Sequence, residues 1–213
     1  MPSSLKIQLQ ALCACLLIAV PAAFGEVGNN AVLLNPNLAT AEELAAVAGL
    51  SSEMADRIVE ERPFLGIAEL NALLSTALDE ETLTGIYGAL FIPLDLNNAD
   101  RDSILLVPGL GDRMAHEFEE YRPYEAMARF RREMGKYVDD DEVARLEQYV
   151  FVPMGLNSAT AEDFMTIPGV GKRMTHEFLE YRPYDSLEQF RREIGKYVDE
   201  DEVARLERYI TLD

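Results

Sequence analysis

Two short stretches have the residue types and the spacing to hold an anion. Pro168-Gly169-Val170-Gly171 runs directly into Lys172-Arg173, and Pro108-Gly109-Leu110-Gly111 runs into Asp112-Arg113. Proline and paired glycines end one helix, and the residues behind them begin another. Glycine accepts positive φ, and its missing Cβ lets another backbone come close. The first amides of a new helix have no acceptor within it, so that end favours a negative oxygen such as a phosphate. The candidate binding residues are therefore Gly109, Leu110, Gly111 and Arg113, with Gly169, Val170, Gly171, Lys172 and Arg173. The second set is better equipped, because Asp112 stands where Lys172 does. A third version, Gly49-Leu50-Ser51-Ser52-Glu53, has lost the second glycine and carries an acid. A competing reading makes the turn purely structural, with Leu110 or Val170 plugging the core.

Other chemistry is sparse. Arg131, Arg132 and Lys136, with Arg191, Arg192 and Lys196, form a recurring basic stripe that could add phosphate contacts beside the turn. Pairing with nearby acids is its competing use. His116-Glu117 and His176-Glu177 each have a glutamate four residues after the histidine, so the His-Glu-x-x-His metal pattern is absent. The acidic runs Asp139–Glu142 and Asp199–Glu202 lack the glycine and spacing of a calcium loop and read better as helix starts. Neither a nucleophile–His–acid set nor a P-loop nor a cofactor fingerprint occurs. No catalytic residue, metal or cofactor is expected, and the chain does not read as an enzyme.

The elements that must position these stretches repeat. Gly49, Gly109 and Gly169 are 60 residues apart, as are Arg62-Pro63, Arg122-Pro123 and Arg182-Pro183. Between 97–150 and 157–210, 32 of 54 positions are identical, which leaves the first copy as the outlier. A period this long implies one supersecondary unit stacked three times, each unit with a small core. In the third copy, Thr160 and Asp163 predict a capped first helix carrying Phe164 and Ile167. A second helix is expected from near Lys172 to about Tyr181, with Met174 and Phe178 inward. A third starts near Ser186 and carries Leu187, Phe190 and Ile194. Asp199 and Glu202 suggest a capping box for a fourth, with Val203, Leu206 and Ile210 facing the core. The expectation is an all-α protein of three tandem repeats, four short helices each and no strand. The repeats fall at 35–94, 95–153 and 154–213. The joints Ile92-Pro93-Leu94 and Val152-Pro153-Met154 are short and apolar, so neighbouring repeats should touch.

The first residues predict export. Lys6 precedes an apolar run, Ala11 to Val20, and Ala23-Phe24-Gly25 offers small residues for cleavage, giving a signal peptide over 1–25. Such a run is too short to span a bilayer, so no stable membrane insertion is expected after cleavage. Cys13 and Cys15 both fall inside it, leaving the remainder free of cysteine. Segment 26–34 should be loose, and the location periplasmic or secreted. Cleavage near Gly25 would remove Lys6 and no acid, moving the formal charge from −19 to −20. Residues 35–94 are the most acidic third, with two basic and ten acidic groups. Such a balance repels polyanions on average.

The phrase Leu156-Asn157-Ser158-Ala159-Thr160-Ala161-Glu162, followed by Ile167-Pro168-Gly169-Val170-Gly171, resembles the helix-hairpin-helix domain of ComEA-type competence DNA receptors. Leu96-Asn97-Asn98-Ala99 with Val107 to Gly111 is the second match, and Leu34 to Leu50 a weaker third. The resemblance implies three helix-hairpin-helix repeats in an exported, non-catalytic protein. It also implies that hairpin amides hold the phosphates of double-stranded DNA without sequence choice, in DNA uptake or related type II secretion-like machinery. That family normally carries two Gly-apolar-Gly hairpins per domain, whereas the second hairpins here are Gly135-Lys136-Tyr137-Val138-Asp139 and Gly195-Lys196-Tyr197-Val198-Asp199. One glycine hairpin with a Pro-Tyr turn is also similar to the extrinsic photosystem II subunit U, which implies a protein-docking role. Two partners follow as expectations: duplex DNA, or an envelope protein bound by an acidic scaffold.

Overall fold

The computed structural model describes residues 32–213. The signal peptide expected over 1–25 and its cut near Gly25 lie outside these residues, as does most of segment 26–34. The described chain is all-α in class, and one order of four helices occurs three times. The first set is α1 (Ala41–Ala45), α2 (Ser52–Glu60), α3 (Ile67–Leu74) and α4 (Glu80–Tyr87). The second is α5 (Arg101–Leu105), α6 (Asp112–Glu120), α7 (Met127–Met134) and α8 (Asp140–Glu147). The third is α9 (Ala161–Phe164), α10 (Lys172–Glu180), α11 (Leu187–Ile194) and α12 (Glu200–Glu207).

Local chemistry places the helix starts. Thr40, Asp100 and Thr160 cap the first helix of each set by accepting the amides of Glu43, Ser103 and Asp163. Asp79, Asp139 and Asp199 cap the fourth helices in the same way. Each such oxygen contributes about 1 kcal/mol. The capping box expected of Asp199 and Glu202 forms only by half, because Arg205 engages the Glu202 carboxylate through Nε and Nη2.

The expectation of no strand is corrected. Leu94–Asp95 (β1) pairs in parallel with Val150–Phe151 (β2), and Met154–Gly155 (β3) with Ile210–Thr211 (β4). In the first repeat a single parallel bridge joins Leu34 to Leu90. Each pairing ties the first residues of a repeat to its last. The joints are buried, so their backbone polar groups need partners, and the opposite end of the same repeat supplies them. Leu34 donates to the Ala89 carbonyl at 2.8 Å and accepts from Phe91 at 3.0 Å, so the end of the segment expected to be loose is held.

Two further ties recur. Arg62, Arg122 and Arg182 each donate Nε to the carbonyl of Pro36, Leu96 or Leu156, and Nη2 to that of Ala39, Ala99 or Ala159. Asn37, Asn97 and Asn157 each donate Nδ2 to, and accept with Oδ1 from, the backbone of Phe64, Tyr124 or Tyr184. The Arg-Pro and Leu-Asn phrases are thus two halves of one clasp between the start of a repeat and the turn after its second helix.

The cores of the first two repeats are continuous, from Ala39 to Val152, while the third has its own, with Phe151 at the boundary. Phe91 meets Tyr149 edge-on at 4.9 Å, and Phe151 lies 4.6 Å from Tyr209. Arg208 of the third repeat donates Nη2 to the Pro93 carbonyl at 3.0 Å, so the third repeat also touches the first joint. No described helix is long and apolar enough to cross a membrane.

Candidate phosphate-binding helix starts

The three first hairpins share one turn. Gly49, Gly109 and Gly169 have φ of +89°, +76° and +81°, a region that disfavours any side chain. Gly111 and Gly171 differ. They are extended, with φ of −106° and −107°, and serve as N-caps of α6 and α10. Only the first glycine of each pair is needed for the left-handed turn.

Leu110 and Val170 are corrected as phosphate donors. Their side chains are buried, and their amides donate within the turn to Val107 and Ile167, each at 3.0 Å. They are the core plugs of the competing reading. The donors left over begin one residue later.

At those positions the repeats diverge in a way that matters chemically. In the first repeat Ser51 caps α2, its Oγ accepting the Met54 amide at 3.2 Å. Gly111 and Gly171 provide no such oxygen, so the opening amides of α6 and α10 have no side-chain acceptor. A Cβ at either glycine would meet nothing within 4 Å, so the approach is open. Gly111, Asp112, Arg113, Gly171, Lys172 and Arg173 are all exposed.

The electrostatics favour the third repeat. Lys172 and Arg173 have neither a carboxylate nor a carbonyl partner among the described residues, and the first turn of α10 holds no acid. Arg113 is likewise unpaired by any acid and has its guanidinium 6.0 Å from the Tyr137 ring. Asp112 opens α6 and is engaged by Arg101, whose Nη2 reaches Asp112 Oδ1 at 3.0 Å and its carbonyl at 2.9 Å while Nη1 reaches Glu119 at 2.7 Å. That side chain puts a carboxylate beside the amides that would hold a phosphate.

The basic stripe is corrected as an auxiliary phosphate contact, and its competing use, pairing with acids, is the one observed. Arg131 pairs with Glu147 and Arg191 with Glu207, while Arg132 and Lys136 share Glu133 and Arg192 and Lys196 share Glu193. The Lys136 ammonium and then the Arg132 guanidinium hold the Glu133 carboxyl below its ordinary range, and Lys196 and Arg192 do the same to Glu193. The second hairpins are closed to anions as well. Asp139 and Asp199 cap α8 and α12, and Asp140, Asp141 and Glu142, or Glu200, Asp201 and Glu202, follow in the first turn. Gly135 and Gly195 have negative φ and end α7 and α11.

The remaining candidates are surface pairs. His116 lies 3.2 Å from Glu120 and His176 3.3 Å from Glu180. Among the described residues no group of three His, Cys, Asp or Glu side chains could hold a metal ion. Tyr124 and Tyr184 are buried under the Arg-Pro turns, while Tyr121 and Tyr181 share hydroxyl hydrogen bonds with Tyr137 and Tyr197 at 2.8 Å. Sequence reasoning missed Arg101, whose partner Asp112 lies in a different helix, and Arg205, whose Nη1 donates to the Pro168 carbonyl at 2.8 Å.

With this geometry in view, residues 29–86 match the family model of the helix-hairpin-helix motif. The match spans α1 to α4, in the repeat whose turn departs furthest from the glycine phrase. No curated protein and no solved structure matches the chain.

Proposed function

We propose that this protein is a non-catalytic binder of double-stranded DNA that grips backbone phosphates at the starts of α10 and, more weakly, α6. The observation that carries this reading is the pair of exposed, uncapped helix starts at Gly171 and Gly111, the former flanked by two cations with no acid partner. The helix-hairpin-helix motif is commonly a nucleic-acid binder, which supports the same assignment. Contacts of this kind read phosphate and not base edges, so binding is without sequence choice. The resemblance to ComEA-type receptors and the signal-like start of the chain extend the proposal to an exported, periplasmic protein of DNA uptake.

The formal charge of −19 opposes this binding and sets its scale. Most cations are already paired with carboxylates, so few counterions are released and affinity rests on two short surfaces. Anisotropy titration of a labelled duplex across a salt series tests it. Expected is measurable binding at low salt, lost when Lys172→Glu and Arg173→Glu are combined. The neutral pair Lys172→Ala with Arg173→Ala, which removes two phosphate contacts without adding acids, should keep weaker binding with a log–log salt slope flatter by about 1.8. No duplex affinity at any salt would end this reading.

A second reading draws on the acid of the first repeat, where Glu42, Glu43, Glu53, Asp56, Glu60 and Glu61 are all in exposed positions or helix first turns. There the chain is a scaffold for a basic envelope protein. Capture of one specific protein from envelope extracts, unchanged by DNase, would favour it.

A further inference from the structure

The first repeat lacks the equipment of the other two, yet it touches the best-equipped hairpin. A Cβ placed on Gly169 would lie 3.1 Å from Leu38 Cδ2 and 3.1 Å from Arg205 Nη2. Leu38 belongs to the loop before α1, so a side chain of the first repeat lies against the turn of the third. Arg205 beneath it is only 2% exposed. Its Nη1 holds the Pro168 carbonyl at 2.8 Å, and its Nε and Nη2 hold Glu202 at 2.6 and 2.7 Å. The turn is therefore tied to α12 by a buried guanidinium.

The second repeat has the same sequence elements without the cover. The space beside Gly109 contains only Arg145 Nη2, at 3.7 Å. The Arg145 side chain is 33% exposed and donates to Glu142 alone. The first repeat has Gly85 and Thr82 at the corresponding places, so the tie is absent there. The positions matching Leu38 are Asn98 and Ser158, neither of them apolar. Burial strengthens a charge-assisted hydrogen bond and excludes competing water, so the turn tied by the buried Arg205 should be the stiffer one.

We propose that the first repeat acts as a clamp on the third, with Leu38 and Arg205 as positioning residues that hold the Gly169–Arg173 hairpin in its anion-accepting form. The clamp itself stands on contacts alone; its effect on affinity rests on the DNA reading above. It gives the repeat with no usable hairpin a role, and it makes the two remaining hairpins unequal by construction. A pre-organised site loses less ordering entropy on binding than a mobile one.

The test is residue-resolved amide hydrogen exchange on the full chain and on Leu38→Ser, with a duplex titration on the same samples. Expected is exchange at the hydrogen-bonded amides of Val170 and Thr175 faster by at least about tenfold, with those of Leu110 and Ala115 unchanged. Leu38→Met should restore it, because an apolar cover of similar volume is kept. Duplex affinity should fall by about threefold in Leu38→Ser and recover in Leu38→Met. Because Leu38 is 44% exposed, the substitution leaves the cores intact, and Leu38→Ala serves as a second, milder variant. Unchanged exchange at the third hairpin, or an equal rise at both hairpins, would overturn the clamp. Faster exchange in a chain that binds no duplex would keep the clamp and remove the DNA reading.

Discussion

Asp213 Oδ1 accepts the backbone amide of Asn157 at 2.7 Å, taking the part that a residue two places earlier takes in the other repeats. Asn35 accepts from Asn37 at 3.0 Å and Asp95 from Asn97 at 2.8 Å, but the matching residue in the third repeat is Gly155. A Cβ there would lie 2.3 Å from both Asp213 Oδ2 and Ser158 Oγ, so the glycine makes room for a carboxylate arriving from the other end of the repeat. Burial opposes the charge on Asp213, but hydrogen bonds from Ser158 and the Asn157 amide outweigh it and hold the carboxyl below its ordinary value. Asp213→Ala should cost about 1 kcal/mol. That loss should lower the melting temperature by about 2–4 °C. Gly155→Asp alone should also destabilise, while the double variant should recover most of the loss, read as a coupling energy in a double-mutant cycle.

The clasp built on Arg122 and Arg182 predicts larger losses. Each guanidinium serves two carbonyls that have no other role for it to share. Arg122→Ala should cost about 1.5–3 kcal/mol, the range for hydrogen bonds to a charged group. Arg122→Lys should not rescue, because a single ammonium cannot reproduce the two-pronged fork. Urea melts of the three proteins decide the point, and a lysine variant as stable as the parent would contradict it.

What was readable in the sequence follows from how local each interaction is. Thr160 and Asp163 announce a helix start because the cap and its partner are three residues apart. The Pro-Gly-apolar-Gly phrase announces the turn for the same reason. The Leu156-Asn157-Ser158-Ala159 phrase was legible as a likeness, but its work is done at a distance, on the backbone of Tyr184 and through Arg182. Backbone carbonyls have no sequence identity, so nothing in the residues named them as partners. The strand pairs are two residues long, too short to produce an alternating pattern. The basic stripe reads both ways in sequence: Glu133 and Glu193 lie beside it, whereas Glu147 and Glu207 sit on the next helix. Leu38 over Gly169 joins the first repeat to the third, and no spacing rule reaches that far.

Acid should loosen the C-terminal ends of α7 and α11. The carboxyls of Glu133 and Glu193 are lowered from an ordinary 4.5, first by the lysine and then by the arginine that share each one. A depressed carboxylate stabilises the fold above its unfolded value, and that contribution disappears as pH falls through the folded value. Thermal melts should therefore shift downward as pH drops below about 4.5. Glu133→Gln with Glu193→Gln should start less stable at neutral pH and show a shallower acid limb. An identical acid limb in the two proteins would assign the acid sensitivity to other groups, such as the Asp79 and Asp100 caps.

The inequality of the two open helix starts gives a gain-of-function test. Asp112 differs from Lys172 in sign, and Arg101 holds its carboxylate beside the α6 amides. Asp112→Lys removes that acid, adds a cation and frees Arg101 from one of its two carboxylates. Duplex affinity should rise at low salt, with the log–log salt slope steeper by about 0.9 for the one added phosphate contact. The fold should be indifferent, since Asp112 is exposed. A slope unchanged within error would mean that α6 does not meet phosphate.

The sharpest separation of binding from stability comes from giving α6 and α10 the cap that α2 already has. In the first repeat, Ser51 Oγ occupies the Met54 amide, and that start is closed to an outside anion. Gly111→Ser and Gly171→Ser would place the same oxygen on the amides of Met114 and Met174. Neither glycine has positive φ, and neither has an atom within 4 Å of the new Cβ, so the substitutions are free of strain. Stability should rise by a few tenths of a kcal/mol per site, about the difference between serine and glycine caps. Duplex affinity should fall, because the same donors cannot serve a hydroxyl and a phosphate at once. A general packing defect moves both quantities down together, so opposite signs in the thermal melt and the titration identify the amides themselves as the ligand. If both rise, or affinity is untouched, phosphate is held by Lys172 and Arg173 alone and the helix starts are spectators.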